Sequence, residues 1–265
     1  MSRVIFSFCL AVTLWAAGWG AVPAAAEPAE AVTRAGTDGH IPGERRRYLG
    51  YGRLISNDLF GDGKDRWRTG SLTSSRVWGY GWDGAAPSRL GELLELRIQG
   101  QLIAPSSLRA PAPNGRPYAG ALSVGLHSHA EFGGLDLALG ADLVVIGPQT
   151  GLDDFHDAIH DAISEPSPSA GVLAGQVGDT VRPTVVAELG RTVEFGGAAA
   201  LRPFVEARAG DETLVRVGAD VMFGPVGQGE LLVRESVTGQ RYRVIYNSPP
   251  GLGLTLGGDV AHVSD

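Results

Sequence analysis

From Tyr48 onward the chain alternates between apolar and polar side chains. Leu94, Leu96, Ile98 and Leu102 share one face of a run whose other face carries Glu95, Arg97, Gln99 and Gln101. Leu122, Val124 and Leu126 stand opposite Ser123, His127 and His129, and Leu135, Leu137, Leu139, Ala141, Leu143 and Val145 stand opposite Asp136 and Asp142. Val215, Val217, Ala219, Val221 and Phe223 oppose Arg216 and Asp220 in the same way. Period two predicts β-strands, and the Gly, Pro and Asp residues between the runs predict turns. The stretches Tyr48 to Ser56 and Thr69 to Trp82 also read as strands. Such alternation suits a soluble sandwich too. The polar face decides more, because it carries full charges in strand after strand. A continuous apolar face backed by a charged one is what an antiparallel transmembrane β-barrel needs, with lipid outside and water inside. Trp78, Tyr80 and Trp82 fall on one face at a strand end, where an interfacial aromatic girdle would lie. The expected class is all-β.

One segment breaks the rhythm. Between Gly151 and Ser164, Leu152, Phe155, Ile159 and Ile163 recur at helical spacing, with Asp153 and Asp154 in the first turn where the helix dipole favours acids. Glu165-Pro166-Ser167-Pro168 ends the helix. His156 and His160 lie four apart on one of its faces. That spacing suits zinc, but no Glu stands between them as in H-E-x-x-H; Asp157 and Asp161 follow them instead.

The first residues change the address. Arg3, an apolar run from Val4 to Trp15 and the small-residue stretch Ala24-Ala25-Ala26 have the layout of an export signal, which places a mature start near Glu27. Residues 27–47, rich in Ala, Pro, Gly and charge, read as a flexible mature N-terminus, and residues 48–265 as the barrel. No other run approaches the ~20 apolar residues of a spanning helix. The sole cysteine, Cys9, lies inside the expected signal, so the mature chain has no disulfide to lean on. A net charge of −7 without a basic, aromatic-laced patch excludes nucleic acid as a partner.

The connection from Ser56 to Gly70 is long for a hairpin and holds Asn57, Asp58, Asp62 and Asp65. Clustered short oxygen ligands suit a hard cation or a catalytic carboxylate, and they equally suit a solvated turn. Asp62-Gly63-Lys64-Asp65 lacks EF-hand spacing and its terminal Glu, so it reads as surface. His127 and His129 read as lumen-lining. Pro117 sits at a strand start, where proline is tolerated, so Arg116 to Gly120 reads as shaping that start.

Three blocks then fall in order. They are Ser56-Asn57-Asp58 with Asp65-Arg66-Trp67-Arg68-Thr69-Gly70, Gly115-Arg116-Pro117-Tyr118-Ala119-Gly120, and Ile146-Gly147-Pro148 leading to Ile159-His160. Together they resemble the lipid A 3-O-deacylase family of Gram-negative outer membranes, from about Tyr48 to Glu165. The resemblance implies a barrel of about twelve antiparallel strands with a short helix in an extracellular loop. It implies a calcium-dependent (Ca2+) carboxylic ester hydrolase that removes the 3′-acyloxyacyl chain of lipid A, the lipid part of lipopolysaccharide. Carried over by motif, Asn57, Asp58, Thr69 and His160 are the catalytic set, with Asp58 a metal ligand. Arg109 stands nearest the family's cationic residue after the third strand, and Glu165 nearest its glutamate beyond the helix. Both are therefore oxyanion or substrate residues by resemblance. His156 replaces the usual Gln, and Arg68 and Gly70 replace the usual Tyr and Asn around Thr69.

The chemistry suits these types. A neutral imidazole can accept a proton from water, a carboxylate can orient it, and donors can receive the oxyanion. No G-x-S-x-G is present, and none is needed when water is the nucleophile. The expected location is the bacterial cell outer membrane, the expected state a monomer. The alternatives are a non-catalytic barrel, structural or a narrow pore, and a secreted sandwich. After Gly190 roughly five or six strand-like runs remain, which makes the barrel either small or short of its last strands.

Overall fold

The computed structural model describes residues 2–11, 44–57, 67–110, 115–163 and 167–264. Its strands in chain order are β1 (Ser2–Ala11), β2 (Arg47–Asn57), β3 (Trp67–Gly79), β4 (Leu93–Ala104), β5 (Ala119–Phe132), β6 (Leu135–Ile146) and β7 (Thr180–Gly190). They continue with β8 (Val193–Phe195), β9 (Ala199–Ala209), β10 (Thr213–Phe223), β11 (Leu231–Arg234), β12 (Arg241–Ile245) and β13 (Leu254–Ser264). Two helices, α1 (Leu152–Ile163) and α2 (Ala170–Ala174), lie between β6 and β7.

The wall is one antiparallel path, β1-β13-β10-β9-β7-β6-β5-β4-β3-β2, with short β8 added beside β9. Ten strands on that path are fewer than the twelve implied by the resemblance. Two further strands, β11 and β12, form a separate hairpin. Ser2–Ala11, read from sequence as export signal, pairs along β13 throughout its length. Cleavage near Glu27 would release that strand.

The sheet is inside-out, as the alternation predicts. Val124, Leu126, Leu143, Val185, Val215 and Val217 are at least half exposed, whereas Glu95, Arg97, His127, His129, Asp142, Arg216 and Asp220 are buried. A soluble protein does not leave a ring of β-branched and leucine side chains in water while burying its charges. Lipid outside reverses that cost. The buried charges answer one another across the lumen. Arg97 Nε donates to Glu95 Oε1 at 2.8 Å, and His129 Nε2 donates to Glu95 Oε2 at 2.7 Å. His127 Nε2 donates to Asp142 at 3.0 Å and Arg202 Nη1 to Glu188 at 2.7 Å. Pairing of this kind is what makes buried ions tolerable.

One end of the wall carries the α1–α2 segment between β6 and β7; the other carries the two-residue Gly133-Gly134 turn between β5 and β6. We term these the helix end and the turn end. Tyr48 and Trp78 meet edge to face at the turn end, with ring centroids 6.0 Å apart, and Arg46 lies over the Tyr80 ring. Trp82 departs from the expected girdle. Its Nε1 donates inward to the Gly229 carbonyl at 2.8 Å, because the chain has left the strand and its parity no longer applies.

The β11–β12 hairpin enters from the turn end and lies within the curve of the wall. Leu231, Val233, Tyr242, Val244 and Ile245 pack against Val77 and Leu93. β12 crosses the inner face of β2 so closely that a Cβ on Gly50 or Gly52 would run into the carbonyl oxygens of Val244 and Arg243. Glycine is required there for close backbone approach.

Candidate active site at the helix end

Strand pairing lays out the floor of the helix end. Asn57 is opposite Gly70, Gly70 opposite Leu102, and Leu102 opposite Gly120, so one row crosses β2, β3, β4 and β5. Adjacent strands are ~4.8 Å apart, so the row spans roughly 14 Å. Thr69 sits at a register shift between Arg68 and Gly70 in the β3–β4 pairing. Bulges of this kind re-aim a side chain and are common beside active sites.

The helix α1 begins on this row. A Cβ on Gly120 would come within 2.9 Å of both Leu152 Cβ and Thr150 Oγ1, so the wall carries a hydrogen there to seat the helix. Pro148 to Thr150 makes a 3₁₀ turn from β6 into α1, and Leu152 to Ile163 is helical as its spacing predicts. The orientation reverses what amphipathicity gives in a water-soluble protein. Phe155 is 57% and Ile159 40% exposed, whereas His156 is 5% and His160 3% exposed. The imidazoles face the protein, and Phe155 and Ile159 face outward.

His156 and His160 touch, with ring centroids 4.1 Å apart. His156 stacks on Tyr118 and shares a 3.1 Å hydrogen bond between its Nδ1 and the Tyr118 hydroxyl. When the phenol donates, neutral His156 carries its proton on Nε2. Tyr118 is fully buried against Ala104 and Val172 of α2, which fixes its ring. Ser169 caps α2 by accepting from Val172 N, and Ser169 N donates to the Leu108 carbonyl, tying the helical segment to the β4–β5 connection. From sequence, Tyr118 reads as part of a strand start. Its burial and hydroxyl contact make it the support of the imidazole pair, and only the helix position in space could reveal that.

Of the site residues expected from sequence, His160 is buried on the inner face of α1. At backbone level Asn57 lies on the row and Thr69 lies at the bulge one residue from it. Asp58 and Glu165 lie outside the described residues, as does the Asp62–Asp65 loop. Arg109 is exposed on the β4–β5 connection. Among the described residues no group of three or more His, Cys, Asp and Glu is placed to hold a metal. One donor on α1 does suit a hard cation: Asp157 Oδ1 is buried and has no hydrogen-bond partner among the described residues.

No family model and no curated protein matches the chain. Among solved structures it is similar to LpxR from Salmonella typhimurium, with a TM-score of 0.55 and 16% identity, over 80% of this chain and 99% of that one. No helix among the described residues is long and apolar enough to cross a membrane. The chain has the fold of LpxR, an antiparallel β-barrel, and carries its own helices on the β6–β7 connection at one end.

Proposed function

We propose that the chain is an outer-membrane carboxylic ester hydrolase that removes the 3′-acyloxyacyl chain of lipid A, with His160 as the general base for water. The observation that carries this reading is the two-faced placement of α1. Its imidazoles are buried against Tyr118 at the start of β5, and its first turn is seated on Gly120, while Phe155 and Ile159 offer an exposed apolar face. An ester joining a hydrocarbon chain to a polar sugar would straddle such a helix, with the chain in the bilayer and the carbonyl near the imidazoles.

His160 takes a proton from water as the oxygen attacks the ester carbonyl. The ester C–O bond then breaks, and the same proton passes to the departing sugar oxygen, leaving a free hydroxyl and a carboxylic acid. Asn57 and Thr69 are the donors nearest the developing oxyanion in this reading. His156, held by Tyr118, keeps the His160 ring oriented. Calcium, when bound, would polarise the ester carbonyl. Asp58 and the buried Asp157 Oδ1 are the oxygens that would hold it. Arg109 and Glu165 would meet the charged head group, and a monomer suffices for all of these roles.

Mass spectrometry of lipid A from expressing cells tests the reaction. Loss of the 3′ chain is expected, with a fall of roughly 10²- to 10⁴-fold for His160→Ala. Chelation should abolish the activity and added calcium should restore it. Unchanged lipid A in cells with folded, calcium-supplied protein would overturn the enzyme reading and leave a structural barrel.

A further inference from the structure

The β11–β12 hairpin is fastened to opposite walls of the lumen. Its Arg234 donates from Nε to Glu188 of β7 and from Nη2 to Asp220 of β10, each at 2.8 Å, with the guanidinium 3.4 Å over the Phe204 ring. On the far side, Arg97 of β4 donates to the Arg234 carbonyl at 3.0 Å, and Ser236 Oγ donates to Gln99 Oε1 at 2.7 Å. Tyr242 shares a 2.6 Å hydrogen bond with Ser75 of β3. Along the wall path β4 lies five strands from β10, so these anchors span the barrel rather than line one side of it.

The turn at the tip is built to hold its shape. The buried Glu235 carboxylate accepts from Val237 N at 2.9 Å, Thr238 N at 2.6 Å and Thr238 Oγ1 at 2.8 Å, and it accepts from Gln99 as well. The hairpin base is sealed by apolar packing on Val77 and Leu93. Water-sized space is distributed accordingly. A cavity of about 350 Å³ opens on the turn-end side, bordered by Trp82, Asp136, Arg202 and Arg241, and runs along the hairpin as far as Arg208 and the tip residue Ser236. Past the tip, the space bounded by Gln101, Ser123, Asp211 and Ser236 is about 10 Å³, the limit for a single water.

From this we infer that β11–β12 is a built-in plug that closes an otherwise polar barrel to ions and small solutes, and that its charged anchors set how firmly it is closed. The wall alone has the features of a conducting lumen: an interior lined by Glu95, Arg97, Arg208 and Arg216 beneath an apolar exterior. Nothing in this function depends on the reaction at the helix end.

The test is current through a planar bilayer holding the reconstituted full chain. The unaltered protein should be silent. Replacing residues 231–245 with a short Gly-Ser linker should give steady single-channel steps. Arg234→Ala should give intermittent openings, with a drop on the order of a hundredfold in the closed-to-open ratio. A second readout does not need the linker variant to insert. In a Cys9→Ser background, Ser123→Cys should resist an impermeant thiol reagent from the turn-end side, and adding Arg234→Ala should expose it. Steady current through the unaltered protein would overturn the proposal. So would a folded linker variant that stays silent, or Ser123→Cys labelling at equal rates with and without Arg234.

Discussion

At the scale of single residues, the informative positions are those whose sequence appearance and structural role part company. Tyr118 looks like a strand-start aromatic, yet its hydroxyl meets His156 Nδ1 at 3.1 Å in a site with almost no exposure. Tyr118→Phe should therefore keep the fold at a cost of ~0.5–1.5 kcal/mol in thermal melts, the worth of one hydrogen bond. On the proposed reaction it should slow deacylation less than His160→Ala does, since the imidazole base remains. Gly52 looks like any strand glycine, but its missing side chain is where the Arg243 carbonyl lies. Gly52→Val should lower the yield of heat-modifiable, folded barrel, whereas the same change at Gly133, in open space at the β5–β6 turn, should cost only its positive φ. Folded yield on unboiled gels compares the two directly.

At the scale of elements, α1 shows how one amphipathic pattern can be satisfied in two ways. Helical spacing gives an apolar stripe and a polar face, and in water the stripe turns inward. Here Phe155 and Ile159 are exposed and the His156–His160 face is buried against Tyr118. Phe155→Asp should leave folding in detergent unchanged. It should lower turnover of lipid A in vesicles more than turnover of a short-chain ester in detergent, since only the former needs the helix at the hydrocarbon boundary. Equal loss on both substrates would place Phe155 in the fold rather than at that boundary. The β11–β12 hairpin shows a different conflict. Its alternating residues read as two more wall strands, but both of its faces are occupied, one by the apolar base and the other by ion pairs to β7 and β10.

At the scale of the whole molecule, the distribution of charge and apolar surface is the strongest evidence for a membrane. Val124 is 51% exposed on the wall while its neighbour His127 is buried and paired with Asp142. Val124→Arg should cost ~2–4 kcal/mol if this position lies near the bilayer midplane and much less near an interface. The difference is read by urea titration in vesicles of defined lipid. In detergent micelles the penalty should shrink, because the head can reach water. A penalty equal in both media would mean that Val124 does not face hydrocarbon. Fractionation of cells should find the protein with the outer membrane.

The amino-acid sequence by itself determined the strands, their inward and outward faces and the presence of a helix after Ile146. Period-two alternation and 3.6-residue spacing are local properties, and a polar face that carries full charges in several runs points to the side away from lipid. It also carried the motif order that links Asn57, Asp58, Thr69 and His160, a pattern of residue types that survives without any fold. Only the tertiary structure decided which strands form the wall and which turn inward. Leu231–Arg234 and Arg241–Ile245 alternate like their neighbours, and their place depends on partners as distant as Ser75, Arg97 and Glu188. Likewise, the helix could not be oriented from its own residues, since the burial of His160 and the support of Tyr118 follow from contacts made across the barrel end. The row that runs from Asn57 through Gly70 and Leu102 to Gly120 exists only as strand register, and it brings the early loop and the later helix to the same end of the barrel.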